Sequence, residues 1–541
     1  MEHERKVFRM QKNSLSMISL AADKNAPGEL FHHFWNECVG AGRAYEGLRA
    51  DWQEQLERSV KACGFKRLRF HGLFHDDMFT CRRAADGTLQ FNWMYVDALF
   101  DRMLAIGIRP FIELAFTPGC MTKRPETWFW WRAHNVPPDD LREWALLVRK
   151  LVLHLLERYG EEEVVQWYFE VWNEPNLRFF FKGTRSEYFN LYRVSAETIK
   201  AVHPRIKVGG PATSNFVFDK RFDGESCLPE SEIHYPGEEE DLSQYQWKPV
   251  WIKEFLAYCE QNHVPVDFIS THPYPSTSAI DADGVPKGRN RPVNATPDDL
   301  RQLRKLVDES HFPNLEIHLT EWCTSSAYGD CSHDHVTGAC FIIRSILNSI
   351  GLVDSLAYWV FTDIFEEKGA GFGIWHGGFG LMTTNGIPKP AWHAYRFLNA
   401  LGTFMVARTD EAVLTRKANG KIAALLWNYP EKEVPLAAPV LRDPEKAASL
   451  TETGSDKQAE LTIAGFAPHT RFKVETLNRE HGDAAVLFRA MGSPMEPSRE
   501  AVDLLRKAAE PMVSMISADE RGTLKIRDRI RPWEIRLIEE M

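Results

Sequence analysis

Short apolar runs recur through the first three quarters of the chain. Each is followed by a stretch whose apolar positions step by three and four. The runs are Arg67–Gly72, Arg109–Phe116, Trp167–Pro175, Lys207–Thr213, Asp267–Pro275, Leu315–Trp322 and Leu356–Thr362. An eighth strand, first in order, is expected near Phe34–Gly40. Strands that alternate with helices imply parallel pairing. Eight such units close most naturally into a (β/α)8 barrel.

The helices carry their own signals. Asp140–Tyr159 sets Leu141, Trp144, Val148, Leu151 and Leu155 on one stripe, suited to a barrel wall. Gly160 is expected to end it as a left-handed cap. Thr184-Arg185-Ser186-Glu187 has the spacing of a capping box. It opens a helix that runs to about Val202, and Pro204 stops it. Ala391–Leu401 is expected as the last barrel helix.

After about residue 402 the pattern changes to short runs separated by turn signals. Ala412–Thr415, Ile422–Trp427, Ala459–Ile463, Arg471–Thr476, Thr523–Arg527 and Trp533–Glu539 read as strands. Ser498–Ala509 reads as one helix, closed by Pro511. The predicted architecture is a (β/α)8 TIM barrel over residues 23–401 and a C-terminal β-sandwich accessory domain with one helix over 402–541. Residues 1–22 are assigned to an N-terminal strand and extension that joins the sandwich. The segment Phe216–Trp247 is rich in Asp and Glu and long for a loop after the fifth strand. It reads as a solvated insertion, or as a lid or subunit contact at the barrel's catalytic face.

Composition narrows the classes. The chain has 541 residues, 44% hydrophobic, enough for a large core and more than one domain. Its net charge of −10, with no basic stripe, argues against nucleic acid as a partner. No run approaches a membrane span. The mildly apolar Ser14–Ala22 is broken by three Ser and follows Glu2 and Glu4, so it reads as strand and loop rather than a secretion signal. Nine Cys without a CxxC pair indicate neither a zinc site nor a disulfide framework. Reduced thiols, a cytoplasmic location, no metal and no cofactor are expected.

Two apolar runs end in carboxylates. Tyr168–Val171 leads into Trp172-Asn173-Glu174-Pro175, where Pro cannot continue a ladder and biases Glu174 toward extended geometry. Leu315–Thr320 leads into Glu321-Trp322. Glu174 alone reads equally well as a solvated loop residue, and Glu321 alone reads better as one. Together, at two strand ends of one barrel, they meet the requirement of glycoside hydrolysis for a protonated acid and an ionised partner. Around them the readings stay paired. Asn173 is a donor to a sugar 2-hydroxyl or a turn former. His272 and Tyr274 share a face, so one of them holds the nucleophile carboxylate, or both pack the core. His71 contacts a sugar or is a satisfied core histidine, and Glu113 is equally a buried structural partner. Trp359 suits the floor under a sugar ring, and Glu366 with Glu367 suits its hydroxyls or a solvated face. Trp128–Trp131 suits a rim or a packed loop. The Gly-rich His376–Gly380 lacks a following GK[ST], which excludes a nucleotide loop.

These motifs resemble glycoside hydrolase family 39, in particular its bacterial β-xylosidases. The matching stretches are Cys38–Arg43, Arg69–Gly72, Gly107–Phe111, Phe169–Leu177, Pro265–Phe268, Thr320-Glu321, Phe365–Glu367, His376–Leu381 and Ile387–Pro390, with weaker similarity through Glu480–Gly482. The resemblance implies that Glu174 is the acid/base and Glu321 the nucleophile of a retaining enzyme. It implies a −1 subsite lined by Asn173, His71, His272, Tyr274, Trp359, Glu366 and Glu367. It implies release of xylose from the non-reducing end of short β-1,4-xylo-oligosaccharides, and a tetramer. The alternatives are a same-family glycosidase for an iduronide, arabinoside or galactoside, or a non-catalytic carbohydrate-binding protein. The chain departs from the family at Glu321-Trp322-Cys323-Thr324-Ser325, where an aromatic residue and Asn usually follow the nucleophile, and in the length of its acidic insertion.

Overall fold

Eight parallel strands close a barrel in chain order. They are β1 (Val39–Arg43), β2 (Arg67–His71), β3 (Arg109–Leu114), β4 (Tyr168–Val171), β5 (Lys207–Ser214), β6 (Phe268–His272), β7 (Glu316–Trp322) and β8 (Ser355–Tyr358). The computed structural model describes residues 16–214, 251–280, 286–435 and 441–541, so the acidic segment Phe216–Trp247 lies outside the described residues. Strands β2 to β8 fall on the runs that predicted them. The first strand does not: Phe34–Asn36 forms a 3-10 turn, and β1 starts only at Val39. The bulky Phe34 and Trp35 draw the reading upstream, but their rings pack on each other at 5.3 Å and Trp35 packs on Phe31 at 5.3 Å. The true strand, Val-Gly-Ala-Gly-Arg, is too small in its side chains to look like one.

Small residues in β1 have a use. A Cβ on Gly40 would lie 2.6 Å from the Trp359 ring, so only glycine lets that indole lie against the strand. Deeper in the barrel, Cys38, Phe111, Tyr168, Phe268 and Ala357 form a separate apolar plug, with Phe111 and Tyr168 stacked at 5.0 Å. The barrel is therefore a filled core with a site above it, not a pore.

The helix Leu141–Tyr159 shows how the periodicity becomes packing. Asp140 caps it by accepting from the Arg142 N–H, and Trp144, Leu147, Val148, Leu151, Val152 and Leu155 are buried. Each such side chain contributes about 1.5–3 kcal/mol relative to exposure. The cap differs from expectation. Gly160 has φ 82° and ψ 155°, outside the left-handed helical region, because it also starts the short helix Glu161–Val164. The predicted capping box is present, with Thr184 accepting from the Glu187 N–H and Glu187 from the Thr184 N–H.

Beyond the barrel lies a β-sandwich. Its larger sheet orders Glu29–Leu30, Phe404–Arg408, Ala412–Arg416, Ile422–Trp427, Ile535–Glu540, Arg471–Leu477 and Met512–Ser517. Its smaller sheet orders Ser16–Asp23, Lys457–Ala464 and Leu524–Ile530. Strand Ile422–Trp427 explains the docking. Ile422, Ala424 and Leu426 face the smaller sheet, while Ala423, Leu425 and Trp427 join the barrel's core. Period-two alternation thus makes the large sheet a middle layer, apolar on both faces. The bidentate Arg396–Glu475 pair (2.7 and 3.1 Å) crosses the same junction. Burial opposes charge on Glu475, but Arg396 and Lys473 outweigh it and bring its pKa down to about 2. Besides Arg499–Ala508, two further helices appear, Pro444–Leu450 and Ala484–Ala490. Seven residues each, they are too short for a helical period to show in sequence. Among the described residues no helix is long and apolar enough to cross a membrane.

The Gly-rich segment 376–380 is held by a buried clamp. Lys389 Nζ lies 2.7 Å from both Asp334 and Asp363 and donates to the Gly378 carbonyl at 2.9 Å. Asp334 and Asp363 in turn accept the Gly377 and Gly380 N–H groups. A Cβ on Gly377 would meet backbone at 2.6 Å. The segment's glycines serve close packing. Lys389→Met leaves two buried carboxylates without their cation, and we expect it to cost about 3–5 kcal/mol in urea unfolding. A loss below about 1 kcal/mol would show that the clamp carries no net stability.

Candidate active site

The alternation of β2, Arg67-Leu68-Arg69-Phe70-His71, aims Arg69 and His71 into the barrel. Arg69 is fully buried. Its Nε donates to Glu170 at 2.7 Å, Nη1 to Glu321 at 2.7 Å and Nη2 to Asn173 at 2.7 Å; Nη2 also lies 2.9 Å from Glu113. Burial opposes its charge, but Glu170, Glu113 and Glu321 outweigh that and raise its pKa further. A permanent cation is thus fixed at the centre of the site.

The chain leaves β4 through a strained turn. Trp172 has φ 70° and Glu174 φ 42°. Pro175 therefore does not hold Glu174 extended, as expected from the sequence. Left-handed conformations of such residues cost about 1–3 kcal/mol each and need surrounding support. The Glu174 N–H donates to the Ala212 carbonyl at 2.9 Å, and the Trp172 indole N–H donates to Phe180 at 3.0 Å. Asn176 and Ser214 exchange two bonds, at 3.0 and 3.1 Å. These contacts outweigh the proline preference and direct the Glu174 carboxyl inward.

Glu174 and Glu321 meet there. One carboxyl oxygen of each and one ring nitrogen of His272 lie within 4.8 Å of one another. Three donor atoms so close are also the spacing of a cation site, but Arg69 and His71 already bring positive charge to the same place. Glu321 accepts from Arg69 and from the Tyr274 hydroxyl at 2.9 Å. His272 faces the other carboxyl: Nδ1 is 2.9 Å from Glu174 and 3.7 Å from Glu321. Of the two residues expected to hold the Glu321 carboxylate, the structure brings Tyr274 to it.

Environment separates the two acids. Burial and the nearby Glu321 charge push Glu174 well above the usual carboxylate range. Burial also raises Glu321, and Arg69 and His71 offset only part of that rise. His272 is held well below its usual value by burial, with Arg69 and His71 adding to the effect, so it is neutral. His71 shifts the other way. Burial opposes its charge, but its 2.6 Å contact to Glu113 and its approach to Glu367 bring it up to about 10. Among the described residues its Nε2 has no hydrogen-bond partner, and it lies 3.4 Å from Glu367 and 3.6 Å from Glu321. Asn173 Nδ2 is likewise buried and, among the described residues, without a partner.

The remaining expected residues divide. Trp359 is buried against His71 (4.9 Å between rings) with the Arg69 guanidinium over its face. Glu367 faces His71, whereas Glu366 is engaged by Arg43 at 2.8 Å and Arg49 at 3.5 Å. Glu113 is the partner of both His71 and Arg69. Of the aromatic run, Trp130 is 58% exposed and bonds the Glu366 carbonyl, while Trp131 is buried. Arg69, Glu170 and Thr320 were not singled out as site residues in the sequence. The signal for Arg69 was present: a charge two residues before His71, in a strand buried on both faces, has only the barrel interior to enter.

The family model for glycosyl hydrolases family 39 matches residues 18–231 and 246–525. The chain belongs to glycoside hydrolase family 39. It is a glycoside hydrolase acting on O-glycosyl bonds. It is 35% identical over 518 residues to a beta-xylosidase of Geobacillus stearothermophilus, spanning 94% of this chain and 93% of that protein. Among solved structures, the family 39 enzyme of Xanthomonas axonopodis pv. citri superposes with a TM-score of 0.84 at 31% identity, covering 99% of each chain. A monomeric beta-xylosidase of Caulobacter crescentus CB15 gives 0.81 at 30% identity, covering 96% of this chain and 99% of that one.

Proposed function

We propose that this family 39 hydrolase is an exo-acting, retaining β-xylosidase that releases xylose from the non-reducing end of short β-1,4-xylo-oligosaccharides. The observation that carries the reading is the separation of no more than 4.8 Å between a Glu174 and a Glu321 oxygen. Retaining enzymes hold their carboxyl groups about 5–5.5 Å apart, and inverting ones leave room for a water at about 6.5–9.5 Å. The sugar assignment rests on similarity to beta-xylosidases along nearly the whole chain.

Glu174, kept protonated by burial and by the charge beside it, gives its proton to the glycosidic oxygen. Glu321, ionised under Arg69 and Tyr274, attacks the anomeric carbon, and the bond to the leaving oxygen breaks. A covalent glycosyl-enzyme results. Glu174, now a carboxylate, takes a proton from water, whose oxygen displaces Glu321 and restores the starting anomer. Asn173 Nδ2 donates to the sugar 2-hydroxyl, a bond that strengthens in the transition state, and its lack of a partner among the described residues supports that role. His71 and Glu367 bind ring hydroxyls, and Trp359 underlies the ring. Glu366 acts at the rim through Arg43 and Arg49. The eight described cysteines are free thiols, which supports a reducing, cytoplasmic setting. One solved relative is monomeric, so a tetramer does not follow from family membership.

A panel of nitrophenyl glycosides, with the first-formed anomer identified by NMR, tests the reading. We expect the β-xyloside to lead the panel and β-xylose to appear first. A faster iduronide, arabinoside or galactoside would move the sugar assignment within the family. Glu321→Ala should abolish turnover, and azide should restore it with an inverted α-glycosyl azide as product. Glu174→Ala should slow a poorly activated leaving group about 10²–10⁴-fold while sparing dinitrophenyl substrates in the glycosylation step. Equal losses on both would remove Glu174 as the acid.

A further inference from the structure

Thr320 sits on β7 one residue before Glu321, and its hydroxyl has two partners. Glu170 Oε1 is 2.7 Å away and His272 Nε2 is 3.0 Å away. A hydroxyl has a single proton to share between them. The other Glu170 oxygen is ion-paired with Arg69 Nε at 2.7 Å, so Glu170 is a carboxylate and only accepts. The Thr320 proton therefore points to Glu170, and a Thr320 lone pair faces the imidazole. That contact requires a proton on His272 Nε2. His272 is fully buried and neutral, so its single N–H is spent there and Nδ1 carries a bare lone pair. Nδ1 lies 2.9 Å from Glu174 Oε1. The contact is a hydrogen bond only when Glu174 supplies the proton.

We propose that Arg69, Glu170, Thr320 and His272 form a positioning relay that locks His272 in its Nε2–H tautomer and thereby holds Glu174 in the protonated, acid form. The inference rests on Glu174 being the acid/base. In the resting site the Glu174 proton lies against His272 Nδ1. When a glycosidic oxygen enters, the same proton turns to it and leaves with the aglycone. Glu174 Oε1 then faces the Nδ1 lone pair instead of an N–H, an arrangement that favours recovering a proton from the attacking water. The relay thus serves both halves of the cycle without itself exchanging a proton. Other groups act on Glu174 as well. Glu321 opposes its ionisation, while Ser214, His71 and Arg69 favour it. Tyr274 acts through Glu321, and Glu113 and Glu367 act through His71. None of them depends on the Thr320 hydroxyl.

The direct test is neutron diffraction from the deuterated, unmodified protein. We expect deuterium on His272 Nε2 and on the Glu174 oxygen beside Nδ1; deuterium on His272 Nδ1 would overturn the relay. In solution, Thr320→Val removes the acceptor at Nε2 without changing charge. His272 is then free to carry its proton on Nδ1 and donate to the Glu174 carboxylate. The basic limb of kcat/KM for a poorly activated aryl xyloside should move down by roughly one pH unit. Thr320→Ser should keep the limb in place. An unmoved limb in Thr320→Val also overturns the proposal. If the valine variant does not fold, the neutron map decides alone. A failed relay leaves the leaving-group dependence of Glu174→Ala intact, so it is distinguishable from a failed assignment of Glu174.

Discussion

A guanidinium buried on the axis of a barrel is the constraint around which this site is organised. Isolated, such a charge costs several kcal/mol. Arg69 avoids that cost by touching four side chains from three other strand ends: Glu113, Glu170, Asn173 and Glu321. The same contacts do chemical work. Arg69 donates directly to Glu321 and not to Glu174, so one acid has a cation bonded to it while the other has the first acid's charge nearby. Where that cation sits is what makes the surroundings of the two acids unequal. The carboxylates in turn hold the cation in place, each with a further buried partner of its own: His71 for Glu113, Thr320 for Glu170 and Tyr274 for Glu321.

The rest of the fold supplies rigidity to that arrangement. The plug beneath the site leaves no space for the strands to shift inward. The large sandwich sheet is apolar on both faces and spans from the barrel core to the outer sheet. Lys389 ties the segment after β8 to the loop after β7 through Asp334 and Asp363. Side chains that must stand within a fraction of an ångström of a productive geometry thus come from strand ends with packed surroundings.

Much of this was legible in the sequence. Eight strand–helix units, the capping box at Thr184 and the two carboxylates at strand ends are all local patterns, and local patterns survive folding. The first strand was misplaced because large aromatics at Phe34 and Trp35 mimic a strand while the real one is made of Gly and Ala. The geometry at Glu174 was misread because a proline preference of a few kcal/mol at most is overruled by hydrogen bonds from β5, a strand some forty residues on. Arg69, Glu170 and Thr320 were passed over because a buried charge in a strand has meaning only once its partners are known.

Residue order alone determined the family, the barrel and the presence of two Glu at strand ends, since those depend on periodicity and on motif identity. Tertiary structure decided which carboxyl faces His272, which is bonded to Arg69, and that the Thr320 hydroxyl lies between Glu170 and His272. Those properties arise between strands far apart in the chain, and a hydrogen bond's direction depends on both of its ends at once.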